Sequence, residues 1–255
     1  MNYILMLLCI HPIAKAEEPI PDTAQEAAPT AAELLSSLDQ NLQSDSQEAT
    51  IRMTINDSRR TRDFSMTVIS RGRTHSAIEY QSPKREKGTR MLKVDGQMWL
   101  YFPRAERVQK ISGHMMRQGM MGSDVSYEDM MTTEDFDEMY DAKILGTEVL
   151  DGRKHWKLEA IAKDSSISYP KRMIWIDDEY RIPTKQELYA LSGILLKTWT
   201  MSDITVIDEK NVPMKMVISD ALKKGSSTTI ITENLSFNIP LEDQIFSRRW
   251  LERGK

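Results

Sequence analysis

Apolar positions along the chain change period twice. Thr30 and Glu33 have the spacing of a capping box, and Leu34, Leu35, Leu38 and Leu42 then fall on one helical face, which predicts an amphipathic helix at the start of the folded chain. The period next drops to two. Ile51, Met53 and Ile55 alternate with Arg52 and Thr54, and Phe64, Met66 and Val68 alternate with Ser65 and Thr67, the pattern of a hairpin turning across residues 56–60. Further strands are predicted near residues 74–81, 89–94, 97–103, 106–112, 142–149, 153–162, 170–177, 184–190, 193–206, 212–220 and 226–237. Turn signals such as Asp95-Gly96, Asp151-Gly152 and Lys223-Lys224-Gly225 separate several of them, and short strands at this spacing predict a barrel or sandwich.

Strand alternation stops between residues 113 and 140. Met115, Met116, Met120, Met121, Met130, Met131 and Met139 crowd this stretch, with helix-start signals at Ser126 and at Thr132-Thr133. It reads as a short helical, Met-rich insert that, with the N-terminal helix, covers one face of a curved sheet. An apolar interior under a partly mobile cover is a physical description of a lipid pocket. The same strand faces also fit an ordinary filled core: Trp156, Leu158, Ala160 and Ala162 point one way and His155, Lys157 and Glu159 the other.

The first residues carry a different signal. Residues 3–10 are an apolar run too short to span a bilayer, and Ala14-Lys15-Ala16 supplies a small-x-small cleavage pattern. Residues 1–16 are therefore expected to be a signal peptide, residues 17–29, rich in Pro, Ala and acid, a flexible linker, and residues 30–255 the folded domain. The single cysteine, Cys9, falls in the leader, so no disulfide or thiol nucleophile is expected in the product, a protein of the periplasm.

Composition narrows the chemistry. With 40% apolar and 28% charged residues in 255, the chain is that of a folded globular protein, and a net charge of −4 lacks the basic footprint of a nucleic-acid binder. No Gly-x-Ser-x-Gly, Cys-x-x-Cys, His-Glu-x-x-His or EF-hand pattern occurs, so neither an enzyme nor a zinc or calcium site is expected. The 17 methionines against 5 phenylalanines point to an adaptable apolar surface. One rival remains: His114-Met115-Met116 with Met120-Met121 gathers an imidazole and four thioethers, the ligand set of a Cu(I) carrier. Arg104, Arg107 and Lys110, and at the C-terminus Arg248, Arg249, Trp250 and Arg253, are either partner or headgroup contacts or solvated surface.

Longer stretches carry a resemblance. The segments GTRMLKVDGQMWLYFP at residues 88–103, RVQKIS at 107–112, MGSDVSYED at 121–129, YPKRMIWID at 169–177 and IPTKQELY at 182–189 resemble the outer membrane lipoprotein-sorting protein family, a LolA-like group. The resemblance implies a mainly β fold, an incomplete, strongly curved antiparallel β-barrel of about 11 strands closed by helices. It also implies an apolar cavity carrying acyl chains of a lipid or lipoprotein through the periplasm, with no cofactor and no catalysis. An inner-membrane donor complex, of RND type in some members, and an outer-membrane acceptor would be the partners. On this reading Met53, Phe64, Met66, Met91, Trp99, Tyr101, Trp156, Met173 and Trp175 line the cavity, and Met115, Met116, Met120, Met121, Tyr127, Met130 and Met131 form the lid. Lipoprotein carriers have an Arg-Pro segment and a nearby exposed Phe ahead of the Asp-Gly turn. Residues 71–76 here hold arginine without Pro or Phe, which leaves Arg71, Arg73, Arg104 and Arg107 as lid or partner contacts. A sensor or adaptor of the same fold, binding a protein partner with a dry, filled barrel, is the other alternative.

Overall fold

A computed structural model describes residues 28–42, 44–131 and 135–254; the expected leader, most of the linker and the helix-start signal at Thr132-Thr133 lie outside them. The opening helix α1 (Ala31–Leu42) begins at the expected capping box, where the Thr30 amide donates to Glu33 Oε2 at 2.7 Å and the Glu33 amide donates to Thr30 Oγ1 at 3.2 Å. Its apolar face is spent inward: Leu34, Leu35 and Leu38 are buried.

Alternation then builds a single antiparallel sheet from β1 (Ser46–Asn56), β2 (Thr61–Arg71), β3 (His75–Ser82), β4 (Arg90–Val94), β5 (Gln97–Phe102), β6 (Arg107–Ile111), β7 (Tyr140–Leu150), β8 (Arg153–Ala162), β9 (Lys171–Asp177), β10 (Pro183–Tyr189), β11 (Leu195–Ile207), β12 (Lys210–Asp220) and β13 (Ser227–Phe237). The thirteen strands are those the alternation predicts, the five-residue β4 and β6 included, against the about eleven that the resemblance implies. Asp95-Gly96 and Asp151-Gly152 hold positive φ at both positions, the geometry that matches strand twist in a two-residue hairpin.

The strand order is β6-β5-β4-β3-β2-β1-β13-β12-β11-β10-β9-β8-β7. The two strands at the sheet edges, β6 and β7, are consecutive in the chain, and the Met-rich insert connects them across the gap of an incomplete, curved barrel. That insert is made of short helical segments, as expected, but of single turns only. It comprises single 3-10 turns at Gly113–Arg117, Met120–Gly122 and Glu128–Met130, and the four-residue α2 (Phe136–Met139). Positive φ at Gly113, Met121 and Gly122 breaks any longer helix.

Cross-strand partners point to the same side, so register fixes the faces. One face, the inner one, runs continuously from Met98, Met91, Ile78, Met66 and Met53 through Ile230 and Ile218 to Ile174 and Leu158. On it lie two cores: the Met-rich insert covers β1 to β6, and α1 with α2 covers β7 to β9. A third core sits on the outer face, where the turn Asp243–Phe246 and helix α3 (Arg248–Arg253) press Ile245, Phe246, Trp250 and Leu251 onto Ile69, Ala77 and Leu92. The buried Arg90 fastens this tail by donating to the carbonyls of Leu251 and Glu252, both at 2.9 Å, orphan acceptors at a helix end.

Candidate functional site

Four polar side chains on the inner face fasten the main chain and aspartates of the Met-rich insert, beside Gln109, which stands opposite Leu100 and meets Met115 Sδ. By register Arg62 pairs with Ile55, Lys93 with Met98, Lys197 with Leu188 and Thr228 with Ile218, so each polar side chain stands among inward-facing apolar neighbours. Each of the four binds the insert. Arg62 donates to the carbonyls of Met121 at 2.8 Å and Gly122 at 3.3 Å, and Lys93 donates to that of Met130 at 2.8 Å. Thr228 donates to Asp124 Oδ2 at 2.9 Å, accepts from the Asp124 amide at 2.8 Å, and is joined there by Ser226. Lys197 meets Asp129 at 2.6 Å.

Asp129 is the centre of the last anchor. Its carboxylate is 1% exposed, accepts from the Ser126 amide at 2.7 Å and from Tyr169 Oη at 2.6 Å, and pairs with Lys197. Burial and the neighbouring carboxylate push the Tyr169 hydroxyl well above its ordinary range, so it stays a donor. Arg172 extends the polar group, stacking over Tyr169 and Tyr140 and donating to Tyr140 Oη at 2.8 Å. Burial also pulls the Lys93 amine down to about 8.

Between these anchors the insert presents sulfur and ring. Met115, Met116, Met120, Met121, Met130, Met131 and Tyr127 all pack against the core that contains Met53, Phe64, Met66 and Met91. The loop closes on itself at Gly119, where any Cβ would lie 1.9 Å from the Ser123 carbonyl oxygen. Besides Arg62 Nε, two neutral donors on the inner face are left over. Tyr80 Oη and Trp199 Nε1 are buried without a hydrogen-bond partner among the described residues, and Trp199 is placed on this face by its pairing with Ile218 and Gln186.

Four of the nine expected cavity residues, Met53, Phe64, Met66 and Met91, thus meet the insert. Trp156 also faces inward, but it packs in the α1 core and its indole donates to Asp178. The other four lie on the outer face. Trp99 and Tyr101 are covered by the C-terminal tail, while Met173 and Trp175 line a groove of about 500 Å³ with Glu148, Lys157, Lys185 and Tyr189. Of the arginines, Arg73 reaches the insert, pairing with Asp135 at 2.5 Å and with Asp39 of α1 at 2.9 Å. Arg71 instead pairs with Asp243 of the C-terminal tail at 2.7 Å and stacks on Phe246, and Arg104 and Arg107 are exposed around the β5–β6 hairpin. Of the copper set, His114 is exposed, Met120 is buried and Met115 accepts from Gln109 Nε2. The anchors Arg62, Lys93, Asp124, Asp129, Lys197 and Thr228 are new; the signal of the four on strands is a polar residue where alternation calls for an apolar one, and the two aspartates of the insert carry no such signal.

An unclosed antiparallel barrel plugged along its inner face defines a class of β-barrel fold shared with solved structures. A DUF1329 family protein from Desulfovibrio piger is 27% identical with a TM-score of 0.78, covering 86% of this chain and 96% of its own. An outer membrane lipoprotein-sorting protein domain from Vibrio parahaemolyticus is 26% identical with a TM-score of 0.75, covering 86% and 98%. A LolA superfamily protein from Nitrosomonas europaea shares the fold at 24% identity and a TM-score of 0.73, covering 88% and 100%. No curated protein matches the chain. A family model described as an uncharacterized protein matches residues 72–253, and the chain belongs to this LolA-like family.

Proposed function

We propose that the protein is an exported carrier that takes the acyl chain of a lipid or lipoprotein between the inner face of its sheet and the Met-rich insert. The observation that carries this reading is the packing of six insert methionines, flexible and unbranched, against an apolar face to which polar anchors rather than strand ladders fasten the insert. An acyl chain can take the volume those side chains vacate, contributing ~0.8 kcal/mol per buried CH₂. The unpartnered Tyr80 Oη and Trp199 Nε1 are donors to which an ester or amide carbonyl is the matching acceptor. The lipoprotein-sorting description of the Vibrio domain supports the cargo class. A chain so buried does not leave readily into water, so loading and release belong to an inner-membrane donor, of RND type or otherwise, and an outer-membrane acceptor.

Native mass spectrometry of protein purified from its own cells without detergent tests the proposal. An acylated species released on denaturation is expected. A bare chain that also takes up no lipid from vesicles would overturn the carrier reading in favour of the sensor or adaptor, whose barrel stays filled by its own methionines.

A further inference from the structure

In an antiparallel meander successive connections alternate between the two ends of the sheet, and here that alternation sorts charge. The connections after β1, β3, β5, β8, β10 and β12 lie at one end and carry nine Lys or Arg against four Asp or Glu. Those after β2, β4, β7, β9 and β11 lie at the other end and carry two against six. The acidic α2 meets Lys163 at the first end, so the positive excess there lies with the connections after β1, β3 and β12, which give a chain of net charge −4 a positive stretch of rim. The same rim holds exposed leucines: Leu191 in the β10–β11 turn is 89% exposed and Leu222 in the β12–β13 turn is 68% exposed, with Lys223 and Lys224 next in sequence. The two turns are neighbours, since the Ala221 amide donates to the Leu196 carbonyl at 2.8 Å.

We propose that this basic rim docks end-on against an anionic phospholipid bilayer, with Leu191 and Leu222 entering the interface and Arg59, Arg60, Lys84, Lys87 and Lys224 facing the headgroups. Charge spread over separate turns fits the delocalised potential of a membrane surface, which asks for no matched positions, and turn-apex leucines beside lysines supply the apolar contact that charge alone lacks. The opposite, acidic end is repelled from the same surface, which fixes the orientation. The inference goes beyond the carrier reading and stands on charge and exposure alone.

Flotation with vesicles containing phosphatidylglycerol, against vesicles of phosphatidylcholine, is the experiment. Binding to the anionic vesicles only, weakened by high salt, is expected, because exposed charges are screened beyond a Debye length of about 8 Å at physiological ionic strength. The Lys84→Gln, Lys87→Gln, Lys224→Gln triple variant should lose affinity on the order of a hundredfold, about fivefold per lysine. A Leu191→Trp variant should show blue-shifted fluorescence on the anionic vesicles, and Val206→Trp, near the acidic end, should not. Equal binding to both vesicle types, full binding by the triple variant, or a shift at Val206→Trp instead of Leu191→Trp would each overturn the proposal. So would absence of binding, which would leave an acidic protein surface as the counterpart of the rim.

Discussion

Lys197 occupies a strand position whose cross-strand partner is the fully buried Leu188, and such a placement is tolerable only because Asp129 meets it. Breaking that pair strands a buried cation. Asp129→Asn is expected to cost about 3 kcal/mol in urea unfolding and to expose the insert to proteolysis. Glu159→Gln, which breaks pairs with Lys143 and Lys171 on the solvent side, should cost under about 1 kcal/mol for each. Lys93 gives a pH signature. Its amine is pulled down to about 8 in the folded protein from an ordinary 10.5, so between those values the unfolded chain binds more protons and stability rises with pH. The urea midpoint should therefore climb from pH 8 toward 10.5, and Lys93→Met should abolish that part of the rise; an unchanged slope would remove Lys93 as its source. Such residues were legible only as irregularities. Lys93 breaks the inward series of Met91 and Met98 on neighbouring strands, but a charge in an alternating run signals an anchor only once its partner, the distant Met130 carbonyl, is known.

Elements were easier to read than faces. The strand periods predicted from residue 74 onward match the structure to within two residues at nearly every boundary, because period two is a local property of the chain. Which side of a strand is inside is not local. Trp99 and Tyr101 alternate with Met98 and Leu100 on β5, both sets are apolar, and the outer set is covered by Ile245, Phe246, Trp250 and Leu251, a segment that reads as a charged tail. Residues 173–177 on β9 are buried in succession, so alternation there carries no direction at all. Within the insert, methionine is a good helix former, yet Gly119 and the turn around Met121 keep its helical segments to single turns. Two expectations separate these elements. Leu251→Ala, a large-to-small change in the outer core, should cost about 2–5 kcal/mol while leaving any acyl load unchanged. Gly119→Ala, forced against the Ser123 carbonyl, should loosen the insert specifically, read as faster amide exchange over residues 113–131 with the strand amides still protected.

At the scale of the whole molecule, the fold separates what must be stable from what must yield. Twelve strand pairings hold the sheet, whereas the insert that spans its open edge rests on a handful of hydrogen bonds and one buried ion pair. Ordinary hydrogen bonds contribute about 1 kcal/mol each, so detaching the insert costs far less than unfolding the sheet. A dozen methylenes entering the vacated space would contribute on the order of 10 kcal/mol, enough to hold the insert away from the face it covers in the empty protein. On the proposed carrier reading, opening would set the rate of exchange and burial of the chain the affinity. Arg62→Ala combined with Thr228→Val removes two anchors on separate strands without touching the methionines. It should accelerate uptake of a fluorescent fatty acid at least tenfold, provided opening is the slow step, with the strand core retaining its amide-exchange protection. Uptake at the unaltered rate, in a variant whose insert is demonstrably released, would mean that the acyl chain does not enter beneath the insert and that the inner face is a filled core.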